Sequence, residues 1–283
     1  MHNLFTPAGI SPNRYPVEPA FTVLGTARPS RPGAYDLGVT ELRFVEVGTI
    51  DYLDAWELQK QVHQRVVDRE EPDTVLLLDH PPTFTAGKRT KPEDRPADPG
   101  GAPVIDVDRG GEVTFHGPGQ IVAYPIVRLP EKVKVVDFVR RLEQAMIRTC
   151  AEFGVTAYRV PGRSGVWLPA GETPDGVRRL ERKVGAIGLR VSQHVTMHGI
   201  ALNCDVDLGW YERFVPCGIS DAGVTTLSIE AGRQIGNAEA MPVLHAQIAE
   251  MLSWRDYEQG PSLEAKPDPA KTPRVPLLSP SLG

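Results

Sequence analysis

The 283-residue sequence contains few cysteines, no long apolar run and no cluster of basic residues. Its three cysteines, Cys150, Cys204 and Cys217, are odd in number and fit neither a disulfide framework nor a zinc site. They predict free thiols in a reducing, cytoplasmic compartment. A net charge of −5 without a basic face argues against nucleic-acid binding. The sequence has no run of about 18 apolar residues, so no membrane span is predicted. Residues 1–16 lack the pattern of a signal peptide.

Proline and glycine divide the chain into three parts. Residues 1–38 are rich in Pro, Gly, Ser and Arg, and residues 258–283 have the same character. Such composition buries little apolar surface, so both segments are predicted to be disordered. Residues 39–257 are predicted to form one folded domain.

Strand and helix patterns alternate within residues 39–257. A helix is predicted over 51–70, beginning at Asp51, with Leu53, Trp56, Leu58, Val62 and Val66 at helical spacing. Further helices are predicted over 135–154 and 242–254. The continuous apolar run 74–80 is typical of a buried strand. Many short strands with glycine-rich turns and about three helices predict an α+β domain with one main sheet.

A glycine-rich segment at 108–125 carries the first candidate chemistry. Arg109 supplies a fixed cation, and Thr114 and His116 alternate along a predicted strand, so their side chains face the same side. Glycines here let backbone approach a ligand closely. The alternative is a hairpin whose glycines serve only its turns.

Lys183 and Cys217 are the other two candidates. Lys183 begins an apolar run with glycines at 185 and 188, although a strand-end lysine commonly extends to solvent. Cys217 lies between Pro216 and Gly218, in a turn where a thiol can be approached. Cys150 and Cys204 instead fit small buried hydrophobes.

Five motifs containing these residues resemble the lipoyl(octanoyl) transferase family, the octanoyl-acyl-carrier-protein:protein octanoyltransferases. The resemblance covers about residues 41–255. The motifs are LLLDHPPTFTAGKR (76–89), DRGGEVTFHGPGQIVAYP (108–125), RKVGAIGLRV (182–191), MHGIALNCDVDL (197–208) and VPCGISDAGVTTL (215–227). The family fold implies a mixed or antiparallel main sheet flanked by helices, similar to the catalytic domain of lipoate and biotin protein ligases.

The resemblance implies a role for each motif. It makes Cys217 the nucleophile that carries the acyl group as a thioester, and Lys183 the group that lowers the pKa of that thiol. The implied acyl-substrate contacts are Arg109, Gly110, Gly111, Glu112, Val113, Thr114, Phe115, His116, Ala186, Ile187, Gly188, Gly199, Ile200 and Ala201.

The resemblance also implies the partners of the reaction. Octanoyl-acyl carrier protein would donate the acyl group, and lysines of lipoyl domains in 2-oxoacid dehydrogenases or the glycine-cleavage carrier would accept it. The acyl group arrives activated, so neither a cofactor nor a metal ion is expected, and no nucleic acid or membrane is involved.

The charge of Lys183 alone would be sufficient to lower the pKa of the Cys217 thiol so that it ionises at neutral pH. A free cysteine, with a pKa near 8.5, is about 3% thiolate at pH 7. Lowering that pKa by about two units needs about 2.7 kcal/mol. An ammonium about 4 Å away at an effective dielectric of about 20 supplies that order of energy. His116 or His198 could then take a proton from the attacking amine, or either could simply hold a loop.

Three alternatives remain at this point. An ATP-dependent lipoate or biotin ligase shares the fold but needs a nucleotide-phosphate loop and no nucleophilic cysteine. A cysteine hydrolase would pair Cys217 with His116 or His198. A binding module would use Cys217 only as a turn residue.

Overall fold

The computed structural model describes residues 22–27, 41–172, 176, 178–214, 222–260 and 262, with only the backbone of 22–27. Cys217 lies outside the described residues. Their secondary structure is α+β, as expected from the sequence. None of the described helices is both long and apolar enough to cross a membrane.

A mixed main sheet forms the centre of the fold. Within the described residues it has nine strands in the order β1-β2-β3-β7-β13-β12-β9-β8, with β14 beside β12. These strands are β1 (Thr22–Ala27), β2 (Leu42–Thr49), β3 (Thr74–Asp79), β7 (Gln120–Ile126), β8 (Tyr158–Val160), β9 (Arg163–Leu168), β12 (Arg182–Ser192), β13 (Val195–Asn203) and β14 (Gly223–Val224). Most neighbours are antiparallel, while β2–β3 and β12–β14 are parallel.

Two smaller sheets stand beside the main one. The first joins β4 (Thr83–Ala86), β5 (Val104–Asp106) and β6 (Val113–His116), in the order β5-β4-β6. The second is the short hairpin of β10 (Gly171–Glu172) and β11 (Arg178–Arg179). The helices are α1 (Tyr52–Val67), α2 (Val135–Glu152), α3 (Leu227–Ala231) and α4 (Asn237–Met251).

Helices cover both faces of the main sheet. Strand β3 shows why the sheet is buried on both sides: Val75 and Leu77 face the core under α2 and α4, while Leu76 and Leu78 face α1. This confirms the prediction of a buried strand at 74–80. A third core, around Phe84 and Phe115, fills the small sheet.

Helix α1 begins at the predicted Asp51 cap, and the face that it buries overlaps the expected one at Val62 and Val66 but not at Leu53. Leu53 is 58% exposed, whereas Gln59 and His63 are buried. The two polar side chains are accommodated because each has a partner: Gln59 accepts from the backbone N–H of His198, and His63 bonds to the carbonyl of Ser192. Polar side chains that each make at least one hydrogen bond therefore replace part of the apolar stripe.

The segments expected to be disordered contain described structure at two places. Strand β1, within 1–38, pairs with β2 from Thr22 to Ala27, which corrects the expectation for those six residues. The free edge of β2 explains this pairing, because exposed edge groups recruit another strand. Beyond residue 258, Gly260 donates to Gln144 at 2.7 Å. The three-part division of the chain otherwise stays a prediction.

Candidate functional site

A cavity of about 320 Å³ opens where β12 and β13 meet the small sheet. This volume is near the lower end of the roughly 300–1,000 Å³ common for small-molecule sites. The sequence-predicted residues that line it are Arg109, Gly111, Glu112, Val113, Thr114, His116, Lys183, Ala186, Ile187, Gly188, His198, Gly199, Ile200 and Ala201. The fold thus brings three distant motifs to one wall.

Gly110 and Phe115 were predicted as contacts but do not line this cavity. Phe115 alternates to the opposite side of β6 from Thr114 and His116, and it stacks on Trp210 with ring centres 5.0 Å apart. Gly110 acts through its backbone, since its N–H donates to the carbonyl of Leu189 at 2.9 Å. That bond fixes the glycine-rich loop to β12.

Glycines make room for the cavity wall. Gly188 lies opposite Gly199 in the β12–β13 register. A Cβ on Gly188 would lie 2.8 Å from Cδ of Arg109, and a Cβ on Gly199 would lie 2.0 Å from the carbonyl oxygen of Ala123. Neither distance is tolerated, so both positions require glycine for close packing.

Arg109 is a buried cation, in line with the fixed cation expected from the sequence. Its guanidinium donates to the carbonyl and hydroxyl oxygens of Thr85 at 2.9 and 2.8 Å, and to the carbonyl of Gly110 at 2.9 Å. Only 6% of the residue is exposed. The small sheet therefore holds this charge in place at the cavity wall.

His198 is held by a carboxylate in a strained backbone position. Its φ of 58° lies in the left-handed region, although it is inside strand β13. Nε2 donates to Asp108 at 2.8 Å, and Asp108 also pairs with Arg190. Nδ1 is buried and has no hydrogen-bond partner among the described residues. This arrangement clamps the start of the glycine-rich loop.

Burial sets the protonation of this clamp. Burial lowers the pKa of His198, and the hydrogen bond to Asp108 only partly offsets the effect. Burial raises the pKa of Asp108, but the His198 hydrogen bond and the charge of Arg190 hold it below its usual range. The clamp consequently contains a neutral imidazole and a carboxylate near neutral pH.

His116 is held by a neutral amide instead. Its Nδ1 lies 2.7 Å from Oε1 of Gln120, an oxygen that can only accept, so Nδ1 carries the proton. Burial, with smaller contributions from neighbouring cations, lowers the pKa of His116 to about 3. The ring stays neutral, and its Nε2 carries a lone pair.

Three aromatic residues of the site were missed by sequence reasoning. Tyr52 and Tyr124 line the cavity beside His116, and His80 lies behind them, where Nε2 is 2.8 Å from the Tyr124 hydroxyl. Burial lowers the pKa of His80 to about 4 and raises that of Tyr52 to about 12. His80 and Tyr124 were inside recognised motifs, but nothing in their spacing connected them to Tyr52.

Arg89 and residues 162–164 also line the cavity without having been predicted. Arg89 and Gly162 lie in connections between strands, where sequence periodicity carries no signal, whereas Arg163 and Ser164 begin strand β9. Among the described residues, no group of three His, Cys, Asp or Glu side chains is placed to hold a metal ion.

Lys183 lies at the cavity wall with its ammonium over a buried indole. Nζ is 4.5 Å from the ring centre of Trp167, a cation–π distance. Its carbonyl accepts from the N–H of Thr225 at 2.9 Å, and its Cα pairs with Val224 of β14. The chain that follows the Cys217 segment is therefore fixed to the backbone of Lys183.

Cys150 and Cys204 are confirmed as buried hydrophobic positions. Burial raises the pKa of the Cys150 thiol to about 12 and raises that of Cys204 further. Neither supplies a thiolate at neutral pH. Of the three cysteines, only Cys217 remains a candidate nucleophile.

Comparison with known proteins shows the family of this chain. The family model of the lipoyl protein ligase A/B catalytic domain matches residues 51–249. The octanoyltransferase of Salinispora tropica is 56% identical over 212 residues, covering 75% of this chain and 96% of the relative. That of Acidothermus cellulolyticus is 54% identical over 211 residues, covering 75% and 92%.

Solved structures share the fold at low identity. A bipartite lipoate protein ligase of Thermoplasma acidophilum, described with its E2 lipoyl domain, has a TM-score of 0.54 and 13% identity, covering 79% of this chain and 87% of its own. A lipoate-protein ligase A bound with ATP has a TM-score of 0.51 and 13% identity, covering 79% and 89%. The ligases thus share the architecture, whereas the relatives above 50% identity are octanoyltransferases, and the chain belongs to the octanoyltransferase family.

Proposed function

We propose that this protein transfers an octanoyl group from acyl carrier protein to a lysine of lipoyl domains, through a thioester on Cys217. As a member of the octanoyltransferase family, the chain is an acyltransferase of protein lipoylation. The observation that carries the proposal is the position of Lys183 on the wall of a glycine-lined cavity. The cavity can receive an alkyl chain while the ammonium lies at its wall.

The reaction has two half-reactions. The Cys217 thiolate attacks the carbonyl of the donor thioester, the new C–S bond forms, and the carrier thiolate leaves and takes up a proton. The lysine amine of the acceptor then attacks the enzyme thioester, and Cys217 is released. Lys183 favours the thiolate in both half-reactions by its positive charge.

The strand ladder supports this pairing. The residue six positions after Cys217, Gly223, pairs with Arg182, and the next, Val224, pairs with Lys183. On the other side, Phe214 packs against Phe84 with ring centres 5.5 Å apart. The anchor at Gly223 limits how far Cys217 can lie from β12, since each residue spans at most about 3.6 Å.

Lipoyl domains are the class of acceptor that the family and the fold favour, because the Thermoplasma acidophilum ligase is described with an E2 lipoyl domain. Acyl carrier protein is proposed as the donor, since a thioester donor requires no nucleotide. We also propose a cytoplasmic site of action, in which Cys217 stays reduced.

Intact mass spectrometry tests the proposal directly. Incubation with octanoyl-acyl carrier protein should add one octanoyl group to the wild type and to Cys150→Ser, the matched control. Cys217→Ser should form no thioester adduct. An equal and hydroxylamine-sensitive adduct in Cys217→Ser would refute the mechanism. Donors of different acyl length in the same assay would define chain-length preference.

Lys183→Ala tests whether Lys183 activates the Cys217 thiol. Adduct formation should slow strongly at pH 7 and recover partly at high pH, where the thiol ionises unaided. Absence of pH rescue would assign Lys183 to the acceptor or the carbonyl instead. Rapid hydrolysis of the adduct without an acceptor, lost on replacing a histidine but not Lys183, would favour the hydrolase alternative.

A further inference from the structure

We propose that His116 is a catalytic residue whose Nε2 accepts a hydrogen bond from the attacking lysine amine, and that Gln120 is the positioning residue that holds it so. The inference rests on the proposed function, because it concerns the second half-reaction. It is carried by a chain of hydrogen bonds that begins at His116 and ends at the backbone of Lys183.

The orientation of Gln120 is determined by groups that can only accept. Its Nε2 donates to the carbonyl of Phe115 at 3.2 Å and to Oδ1 of Asn203 at 2.9 Å. Asn203 in turn donates Nδ2 to the carbonyl of Thr225 at 3.0 Å, which identifies its oxygen. The Gln120 oxygen must therefore point to Nδ1 of His116.

The tautomer of His116 follows from this orientation. With the proton on Nδ1, Nε2 is an acceptor, and none of the described residues hydrogen bonds to it. His116 is among the residues that line the cavity. His198 differs, because its free nitrogen, Nδ1, is buried from water. Of the two histidines, His116 is the one with a lone pair available to a bound amine.

The surroundings of His116 keep it uncharged. The Tyr52 ring stacks on it at 5.9 Å, and the His80 ring meets its edge at 5.6 Å. Arg109 and His198 act on it electrostatically from the loop and from β13. A neutral ring of very low basicity orients the amine without retaining its proton.

The same chain of hydrogen bonds reaches the backbone of Lys183. Thr225, which receives the Asn203 bond through its carbonyl, donates its N–H to the carbonyl of Lys183 at 2.9 Å. The orientation of the amine acceptor and the position of Lys183 are thereby fixed by one network. Shared hydrogen bonds of this kind restrict each member more than an isolated bond does.

The balanced step is aminolysis of the enzyme thioester. The neutral amine nitrogen attacks the carbonyl carbon, the C–N bond forms and the C–S bond to Cys217 breaks. The proton lost from nitrogen passes to the departing sulfur, which gives an amide and a thiol. His116 holds one N–H so that the nitrogen lone pair points at the carbonyl.

Single-turnover kinetics of the two half-reactions separate this role from a structural one. Gln120→Met should slow aminolysis of the octanoyl-enzyme by a lipoyl domain by about tenfold or more, with acylation by the donor changed less than about threefold. Tyr211→Phe removes a hydroxyl 3.0 Å from Nε2 of Gln120 and should give the same signature at smaller size. Gln64→Met, on the exposed face of α1, is the matched control.

The pH profile supplies the second readout. In Gln120→Glu, a carboxylate beside Nδ1 favours the imidazolium, so Nε2 becomes protonated and cannot accept. The aminolysis rate relative to wild type should fall about tenfold from pH 8 to pH 6. Equal slowing of both half-reactions, or aminolysis at the wild-type rate in Gln120→Met, would overturn the inference. A wild type that forms no Cys217 adduct would instead refute the proposed function.

Discussion

His116 and His198 line the same cavity, but their partners are of opposite kinds. His116 is in a regular strand and bonds to a neutral amide, which leaves its Nε2 as a hydrogen-bond acceptor. His198 has a strained φ and bonds to a carboxylate, while its other nitrogen is buried. The hydrogen-bond partner, rather than the residue type, distinguishes a group placed for chemistry from one placed to hold a loop.

The largest expected effect comes from removing the carboxylate of the His198 clamp. In Asp108→Leu, the loop bearing Arg109 loses its link to Arg190 and His198. Because small displacements of a positioning group cost about 100-fold in rate, acylation of Cys217 at subsaturating donor should fall by about that factor. Single-turnover intact mass measures it.

Asp106→Leu is the control for that change. Asp106 is the last residue of β5, two positions before Asp108, and its side chain is 74% exposed. Its acylation rate should stay within about twofold of wild type. A wild-type rate in Asp108→Leu would remove the distinction between the two histidines.

Acidification should destabilise the fold through its buried neutral histidines. Histidine has a pKa near 6.5 in the unfolded chain, whereas folded His80 and His116 have pKa values of about 4 and about 3. The unfolded state thus binds more protons as pH falls below about 6.5, so the free energy of unfolding decreases, by on the order of 3 kcal/mol between pH 7 and 5.

Urea unfolding at pH 7, 6 and 5 measures this dependence. The carboxyl groups of Asp108 and Glu230, whose pKa values are lowered in the fold, contribute mainly below this window. His116→Gln should remove roughly half of the slope. A free energy of unfolding that is flat from pH 7 to 5 would show that His116 is not held neutral.

The smallest expected effect concerns the backbone of His198. Gln59→Leu removes the oxygen that accepts from the His198 N–H at 2.8 Å, but it also removes a buried Nε2 without a partner. These contributions oppose each other, so the free energy of unfolding should fall by only about 1 kcal/mol. Urea unfolding beside the exposed control Gln64→Leu measures it. A loss above about 3 kcal/mol would mean that Gln59 determines the strained φ.

Local alternation was predictable, whereas contacts between distant elements were not. The strand period placed Thr114 and His116 on one side, and both line the cavity. The same period turns Phe115 away, which the motif-based contact set did not take into account. Tyr52 lies on a helix whose apolar spacing gave no sign of the cavity, since its role depends on His80 and His116 packing beside it.

The strained residue His198 could not be predicted for a similar reason. No sequence rule places a left-handed φ inside a strand; the clamp by Asp108 and the bond to Gln59 make it tolerable. Gly199 was expected from the resemblance as a substrate contact, but its close approach to the carbonyl of Ala123 became clear only from the register of β13 against β7. The position of Cys217 stays a prediction.

The ladder between β12 and β14 makes the number of residues, as much as their identity, part of the design of this enzyme. Lys183 and Val224 are neighbours across that ladder, so the number of residues between positions 217 and 224 sets the greatest distance at which a thiol at position 217 can lie from the ladder. A substitution leaves this number of residues unchanged, whereas one inserted or deleted residue changes it. Engineering of this enzyme should therefore vary side chains in this segment and conserve its length.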